Sequence, residues 1–197
     1  FSHAVTNKKV IRKLTKTSPL NLKYINQNIG AIIVVRLNSN RFPDKALKKI
    51  NGVPAIILLI RRLKKIKSLN SIILATSSNA RDKKLKKFAD MEKIKFFQGP
   101  LTNVAKRYYL AAKKFKLDQI VRITGDAILV DELMLTKAIE SQIKNNSDVT
   151  FIKNMPYGTA KEIMNFKTIK VISQKSKKKN NTEYLEWFLE NSRNFRV

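Results

Sequence analysis

The sequence predicts an α/β domain with a mainly parallel sheet flanked by helices. Three observations predict it. From Gly30 onward, short β-branched runs alternate with segments of helical period, as in successive βαβ units. The strand candidates are apolar with little polar alternation, the pattern of strands buried on both faces. Finally, 197 residues with 43% hydrophobic and 28% charged side chains suffice for one well-buried core, whereas two full domains would be cramped.

The first strand is Ala31 to Arg36 (AIIVVR), apolar until its last residue, followed by the polar loop Leu37 to Lys45. Val53 to Lys67 carries apolar residues at 56, 59, 60, 63 and 66, one stripe of a helix. Ser71 to Ala75 is the second strand, and Arg81 to Lys93 places Leu85, Phe88 and Ala89 at helical spacing. Lys95 to Phe97 is a short third strand, with Phe96 and Phe97 as core. Asn103 caps a helix whose inner face is Val104, Tyr108, Ala111 and Phe115. Gln119 to Ile123 is the fourth strand, Leu133 to Lys144 a helix and Val149 to Ile152 a strand. Weaker signals give a strand over Glu162 to Asn165 and helices over Phe166 to Ser173 and Glu183 to Asn191. Phe1 to Ile29 is basic and without acids, and reads as an appendage to a domain spanning 30–197.

Lys plus Arg number 41 against 14 Asp plus Glu, a formal net charge of +27. Such a field favours acidic partners: nucleic acid, anionic membrane or phosphorylated small molecules. The excess is spread along the chain, with Lys83, Lys84, Lys86, Lys87 and Lys175, Lys177 to Lys179 as its densest groups, and neither is interleaved with aromatics. A solvated lysine coat encoded by an AT-rich genome therefore explains it better than a dedicated nucleic-acid face. Cysteine is absent, which excludes disulfides, thiolate metal sites and cysteine nucleophiles and accords with a cytoplasmic location. The longest apolar runs, Ala31 to Val35 and Val53 to Ile60, fall well short of the roughly 20 residues of a membrane span.

In an open α/β sheet, ligands bind beyond the carboxyl ends of the strands, so residues just after strands are the site candidates. RLNSNRFPDKAL (Arg36 to Leu47) puts Arg36, Arg41 and Lys45 with Asn38, Ser39 and Asn40 there. Cations and backbone N–H groups in that position suit a polyphosphate, although a plain solvated loop is the alternative in so basic a chain. Neither G-x-x-x-x-G-K-[ST] nor G-x-G-x-x-G occurs, so this is neither a P-loop nor a dinucleotide fingerprint. RITGD (Arg122 to Asp126) ends the fourth strand, and Asp126 beside a polyphosphate reads as a Mg²⁺ ligand, or else as a cap or a partner for lysine. His3 has no partner at useful spacing, and Trp187 with Tyr184 and Phe188 reads as helix packing.

These segments carry a resemblance. RLNSNRFPDKAL resembles the loop A-R-x-G-S-x-R-L-P-G-K-x-L of acylneuraminate and Kdo cytidylyltransferases, and especially of the related spore-coat polysaccharide biosynthesis proteins. NVAKRYY (Asn103 to Tyr109) is similar to their D-V-L-x-R-Y, RITGDAILVD (Arg122 to Asp131) to R-I-T-G-D-C-P-L-I-D, and TEYLEWFLENSRNFRV to their R-E-H-V-T-x-Y-I-x-x-N-P-x-x-F-R-V. The resemblance covers Gly30 to Val197. It implies a Rossmann-like nucleotide-diphospho-sugar transferase (GT-A-like) three-layer fold and a nucleotidyltransferase. A sugar, nonulosonic (sialic) acid or another surface-polysaccharide unit, would be activated with CTP to CMP-sugar and pyrophosphate. Carried over by position, Arg41 and Lys45 would hold phosphates and Asp126 would bind Mg²⁺. Ser39 and the backbone around Asn38 would line the nucleotide loop, Ala75, Thr76 and Ser77 would border base and ribose, and Arg107 and Arg122 would support the nucleotide.

The sequence departs from that pattern. Asn38 and Asp44 stand at family glycines, Ala127 and Ile128 at Cys and Pro, Ala160 at an Asp and Tyr184 at a His. The sequence ends at Val197, ahead of the stretch where the family supplies a second acidic metal ligand, so the domain is expected to be incomplete at its C-terminus. Lys8 to Ile25 faintly resembles the antifreeze-like module of sialic-acid synthases. CTP and a sugar are the expected partners, with a homodimer left open. The alternatives are a degenerate nucleotide-binding domain without turnover, a basic nucleic-acid binder and a glycosyltransferase.

Overall fold

The computed structural model describes residues 27–38, 42–156, 158–159, 161–176, 185 and 195–197. The body of the N-terminal appendage, Ser39 and Arg41 of the first loop, Ala160, and the helix expected over Glu183 to Asn191, apart from Leu185, lie outside the described residues. The strands are β1 (Ile29–Val34), β2 (Lys49–Ile50), β3 (Val53–Pro54), β4 (Ser71–Ser77), β5 (Lys95–Gly99), β6 (Gln119–Thr124), β7 (Val149–Thr150) and β8 (Ile163–Asn165). The α-helices are α1 (Ala55–Lys64), α2 (Lys86–Met91), α3 (Val104–Lys114), α4 (Glu132–Lys144) and α5 (Phe166–Lys175).

Six strands form one sheet in the order β5-β4-β1-β6-β8-β7. β1 pairs in parallel with β4, from Gly30↔Ser71 to Val34↔Ala75, and with β6, from Ile29↔Gln119 to Val34↔Thr124. β5 extends the parallel set from β4, and β8 is antiparallel to both β6 and β7. The mixed α/β architecture with a mainly parallel sheet is therefore the one the sequence predicts.

Continuous apolar strands have to be covered on both sides, and the alternation of side chains divides the core accordingly. Ala31 and Ile33 of β1, Leu74 of β4 and Val121 and Ile123 of β6 pack with Leu59 and Leu63 of α1, Phe88 of α2 and Leu135 and Ile139 of α4. On the other face, Ile32, Ile73 and Ile120 pack with Tyr108 and Ala111 of α3 and Ile169 and Ile172 of α5. Each fully buried Ile or Leu contributes about 1.5–3 kcal/mol relative to exposure, so β1, covered twice, anchors the three layers.

Local chemistry adjusts several expected boundaries. Pairing with β6 draws Ile29 into β1, two residues before the expected start, and Asn28 is fixed beside it through Nδ2 to the Phe115 and Lys116 carbonyls at 3.0 and 2.9 Å. The helix expected from Val53 starts at Ala55, because Asn51 (φ 47°) and Gly52 (φ 79°) close a tight hairpin between β2 and β3. Positive φ at both central residues is what a two-residue hairpin turn of this hand requires. The segment from Arg81 divides into a 3₁₀ turn, Ala80–Leu85, and α2. Asn103 does cap α3, accepting from Lys106 N at 2.7 Å.

Candidate active site

The chain leaves β1 for β4 and β5 on one side of the sheet, then returns to lay β6 against the other side of β1. The chain after β1 therefore runs toward one edge of the sheet and the chain after β6 toward the other, although α1 and α4 cover the same face, and both loops leave from the carboxyl ends where open α/β sheets bind ligands. The strands end level, with Val34 opposite Thr124, and Gly125 N donates to Val34 O at 3.0 Å. A Cβ on Gly125 would lie 2.7 Å from Val35 Cβ, so only glycine permits this approach. Gly125→Ala is expected to lower unfolding free energy by about 1–3 kcal/mol through overpacking, read as a lower urea midpoint at unchanged slope.

The residue after Gly125 meets the loop that follows β1: Lys45 Nζ lies 2.5 Å from Asp126 Oδ2. Lys45 opens the 3₁₀ turn Lys45–Leu47, and Asp44 before it is left-handed at φ 54°. The side chain of Asp126 keeps 50% of its surface exposed and that of Lys45 31%, so the pair is open to solvent beyond the strand ends. Partial burial raises the Asp126 carboxyl, but hydrogen bonds from Lys45 and Thr124 and the lysine's charge outweigh it and hold the group below its ordinary range. Asp126 is therefore ionised at neutral pH. An ionised, half-exposed oxygen donor fits a divalent ion that takes its other ligands from phosphate and water. Among the described residues no three His, Cys, Asp or Glu gather into a cage, so the fit is to an ion shared with a bound nucleotide.

The other candidates are distributed as follows. Arg36 and Asn38 are exposed just beyond β1, while Ser39 and Arg41 lie outside the described residues. β4 runs two residues further than expected, so Ala75, Thr76 and Ser77 are strand residues with 0% exposure and Ser78 is the first exposed position. Ser77 Oγ donates to Asp82 Oδ2. Arg107 is fully buried and ties down the β5–α3 connection, donating through Nη2 to Pro100 O at 2.7 Å and Leu101 O at 2.9 Å. Arg122 forms a buried two-point pair with Glu162, Nε to Oε2 at 2.7 Å and Nη2 to Oε1 at 2.8 Å. Beside it, the Tyr108 hydroxyl donates to Ile123 O at 2.8 Å, and burial pushes its phenol far above the usual range.

Two residues that sequence reasoning missed sit at the turn after β4. Asp82, 2% exposed, accepts from Leu37 N at 2.8 Å and so fixes where the chain leaves β1. Arg81 reaches Asn38 Oδ1 at 3.0 Å and Asp44 Oδ2 at 2.5 Å. The available signal was position: Asp82 is one of only 14 acids in the chain and lies five residues beyond the end of β4.

A solved cytidylyltransferase from Leptospira borgpetersenii superposes with a TM-score of 0.71 at 24% identity, covering 75% of this chain and 64% of that one, a likeness of fold. An uncharacterized protein of Methanocaldococcus jannaschii is 32% identical over 86% of this chain and 70% of its own length. The spore coat polysaccharide biosynthesis protein SpsF of Bacillus subtilis is 28% identical over 68% of this chain, and the 3-deoxy-manno-octulosonate cytidylyltransferase of Chloroherpeton thalassium 28% over 74%. The chain spans 58% and 60% of the lengths of these last two relatives. Residues 30–193 match the family model described as cytidylyltransferase. With the sheet order, the level ends of β1 and β6 and this match together, the chain belongs to the cytidylyltransferase family, a family of nucleotidyltransferases.

Proposed function

We propose that this chain carries the nucleotide site of an enzyme that activates a sugar acid, a nonulosonic acid or a related surface-polysaccharide unit, with CTP. The Lys45–Asp126 pair at the rim between β1 and β6 is the observation that carries the reading. A cation and an ionised carboxylate in contact there offer one group to phosphate oxygens and the other to the ion that accompanies them. In the reaction, the sugar hydroxyl oxygen attacks the α-phosphorus of CTP and the bond from that phosphorus to the α–β bridging oxygen breaks. Pyrophosphate leaves with the electron pair, and the hydroxyl proton passes to solvent. The protein's part in such a transfer is alignment and charge stabilisation.

Lys45 is assigned to the β- and γ-phosphates, with Arg41 and Arg36 supplying further positive charge. Ser39 and the backbone around Asn38 are assigned to the nucleotide, and Asp126 would hold Mg²⁺, which when bound would supply positive charge against the leaving pyrophosphate. Ala75, Thr76 and Ser77, with no exposed surface, back the strand end rather than touch base or ribose, and Ser78 is the first residue there open to a ligand. Arg107 and Arg122, engaged by buried protein groups, support the site from beneath. No helix among the described residues is long and apolar enough to cross a membrane.

The assay is release of pyrophosphate and transfer of label from CTP carrying an α-phosphate tracer, with Mg²⁺ and a panel of nonulosonic and octulosonic acids. CMP-sugar formation with one of them is the expected result. Absence of both CTP binding and transfer contradicts the proposal. A second reading, nucleotide binding without turnover, is favoured by the lack, among the described residues, of three gathered acidic or histidine ligands; it predicts that CTP binds and no product forms.

A further inference from the structure

The loop after β1 contains two features that need an explanation. Asp44 sits at φ 54°, ψ 21°, a left-handed conformation that is costly for an ordinary residue and less so for Asp or Asn. It also carries a carboxylate on the residue immediately before Lys45, where its charge would oppose a polyphosphate gripped by that lysine. The backbone keeps Asp44 there: its N–H donates to Leu37 O at 3.0 Å, and its carbonyl accepts from Leu47 N at 2.8 Å. Its Oδ1 is buried without a hydrogen-bond partner, so among the described residues the carboxylate's one ion-pair partner is Arg81.

Arg81 uses its planar fork at both ends of this loop. Nη2 binds Asp44 Oδ2 at 2.5 Å while Nη1 binds Asn38 Oδ1 at 3.0 Å. Its own position is fixed, because its N–H donates to the Asn79 side chain at 2.9 Å and the next residue, Asp82, is buried against Leu37 N and Ser77. The loop after β1 is therefore clasped by the turn after β4, the neighbouring strand. A lysine ammonium, a point charge on a flexible stem, could not hold both acceptors in fixed geometry.

We propose that Arg81 is a positioning residue for the nucleotide: it clasps Asn38 and Asp44 and cancels the Asp44 charge, so that the loop presents Lys45 to a triphosphate without repelling it. This rests on the assignment of the loop as the triphosphate site. The clasp acts through Asp44, which makes a specific prediction about the two residues together. Removing Arg81 alone exposes the carboxylate and frees the loop. Removing the carboxylate as well, with a glycine that adopts positive φ at no cost, abolishes the need for the clasp.

The test is a double-mutant cycle read as CTP·Mg²⁺ affinity by calorimetry on the full chain, with thermal melts confirming that each variant folds. Arg81→Ala is expected to weaken binding about tenfold, Asp44→Gly to change it less than about threefold, and the double variant to recover to within about threefold of wild type. Arg81→Lys should restore part of the loss. The Arg81→Ala deficit should also shrink between low and high salt, because repulsion between exposed charges is screened. A purely structural role for Arg81 predicts losses that add in the double variant and do not respond to salt, and either result overturns the proposal, as does wild-type affinity in Arg81→Ala. Wild type tests the parent assignment separately: binding of inorganic tripolyphosphate but not of CTP defeats the cytidylyl reading and leaves the cycle to be scored with tripolyphosphate. If wild type binds neither, the clasp falls too.

Discussion

Asp126→Asn is expected to lower kcat/KM for CMP transfer about a hundredfold to a thousandfold while leaving the fold intact, the range seen when one charge-stabilising group is removed from a transfer site. The substitution keeps shape and volume but withdraws the negative charge that would bind the metal accompanying the triphosphate. Because the Asp126 side chain is half exposed, its pairing with Lys45 is screened by solvent, and losing it should cost no more than about 1 kcal/mol of stability. The two measurements therefore separate: steady-state pyrophosphate release collapses while the urea midpoint barely moves. Lys45→Ala should act differently, raising KM for CTP more than it lowers kcat if the ammonium grips ground state and transition state alike. The pH dependence follows from sign. The native Asp126 carboxyl lies below its unfolded value of about 3.9, so its contribution to stability is fully present above that pH and is lost as pH falls through the native value. Activity that requires the ionised form should accordingly show no loss attributable to Asp126 between neutral pH and about pH 5.

Glu162→Ala should destabilise the protein by about 3–5 kcal/mol, the cost of leaving a buried charge without its partner. Both side chains of the Arg122–Glu162 pair are 8% exposed, and the pair joins β6 to the start of β8, where Arg122 N also donates to Glu162 O at 2.9 Å. The structural consequence reaches the site, since β6 carries Gly125 and Asp126 at its end. Replacing both partners, Arg122→Met with Glu162→Leu, should recover most of the loss, because two apolar side chains of similar volume carry no desolvation cost. Urea unfolding of the single and double variants checks this. A single variant as stable as wild type would mean that the guanidinium finds water or another acceptor.

The parallel sheet was legible in the sequence because the centres of β1, β4 and β6 are largely apolar, rich in Ile, Leu, Val and Ala, without the regular polar alternation of a strand that faces solvent. The order of strands was not, since periodicity says nothing about which strand lies beside which. The meeting of Lys45 and Asp126 beyond β1 and β6 was legible because the glycine at 125 and the carboxylate at 126 immediately follow a strand, a pattern typical of a strand end. The hairpin at Asn51–Gly52 was passed over because Val53 to Lys67 has a continuous helical stripe, and the turn chemistry overrides that stripe at its first two residues. Arg107 and Arg122 were harder to read. Sequence offers no way to tell a buried guanidinium that braces the fold from one that awaits a phosphate, and the difference here lies in Pro100, Leu101 and Glu162, remote or unremarkable in the chain. Arg81 and Asp82 escaped for the same reason, as their partners Leu37, Asn38 and Asp44 come from another loop.

The proposed activity requires a triphosphate at the carboxyl ends of β1 and β6. A crystal structure of the chain soaked with CTP and Mn²⁺, in which the metal is located by its anomalous signal, tests that directly. The expected result is density for phosphates within hydrogen-bonding distance of Lys45 Nζ, with the metal on an Asp126 oxygen and the Lys45–Asp126 contact opened. Nucleotide bound at the amino ends of the strands, or metal sites remote from Asp126, would contradict it.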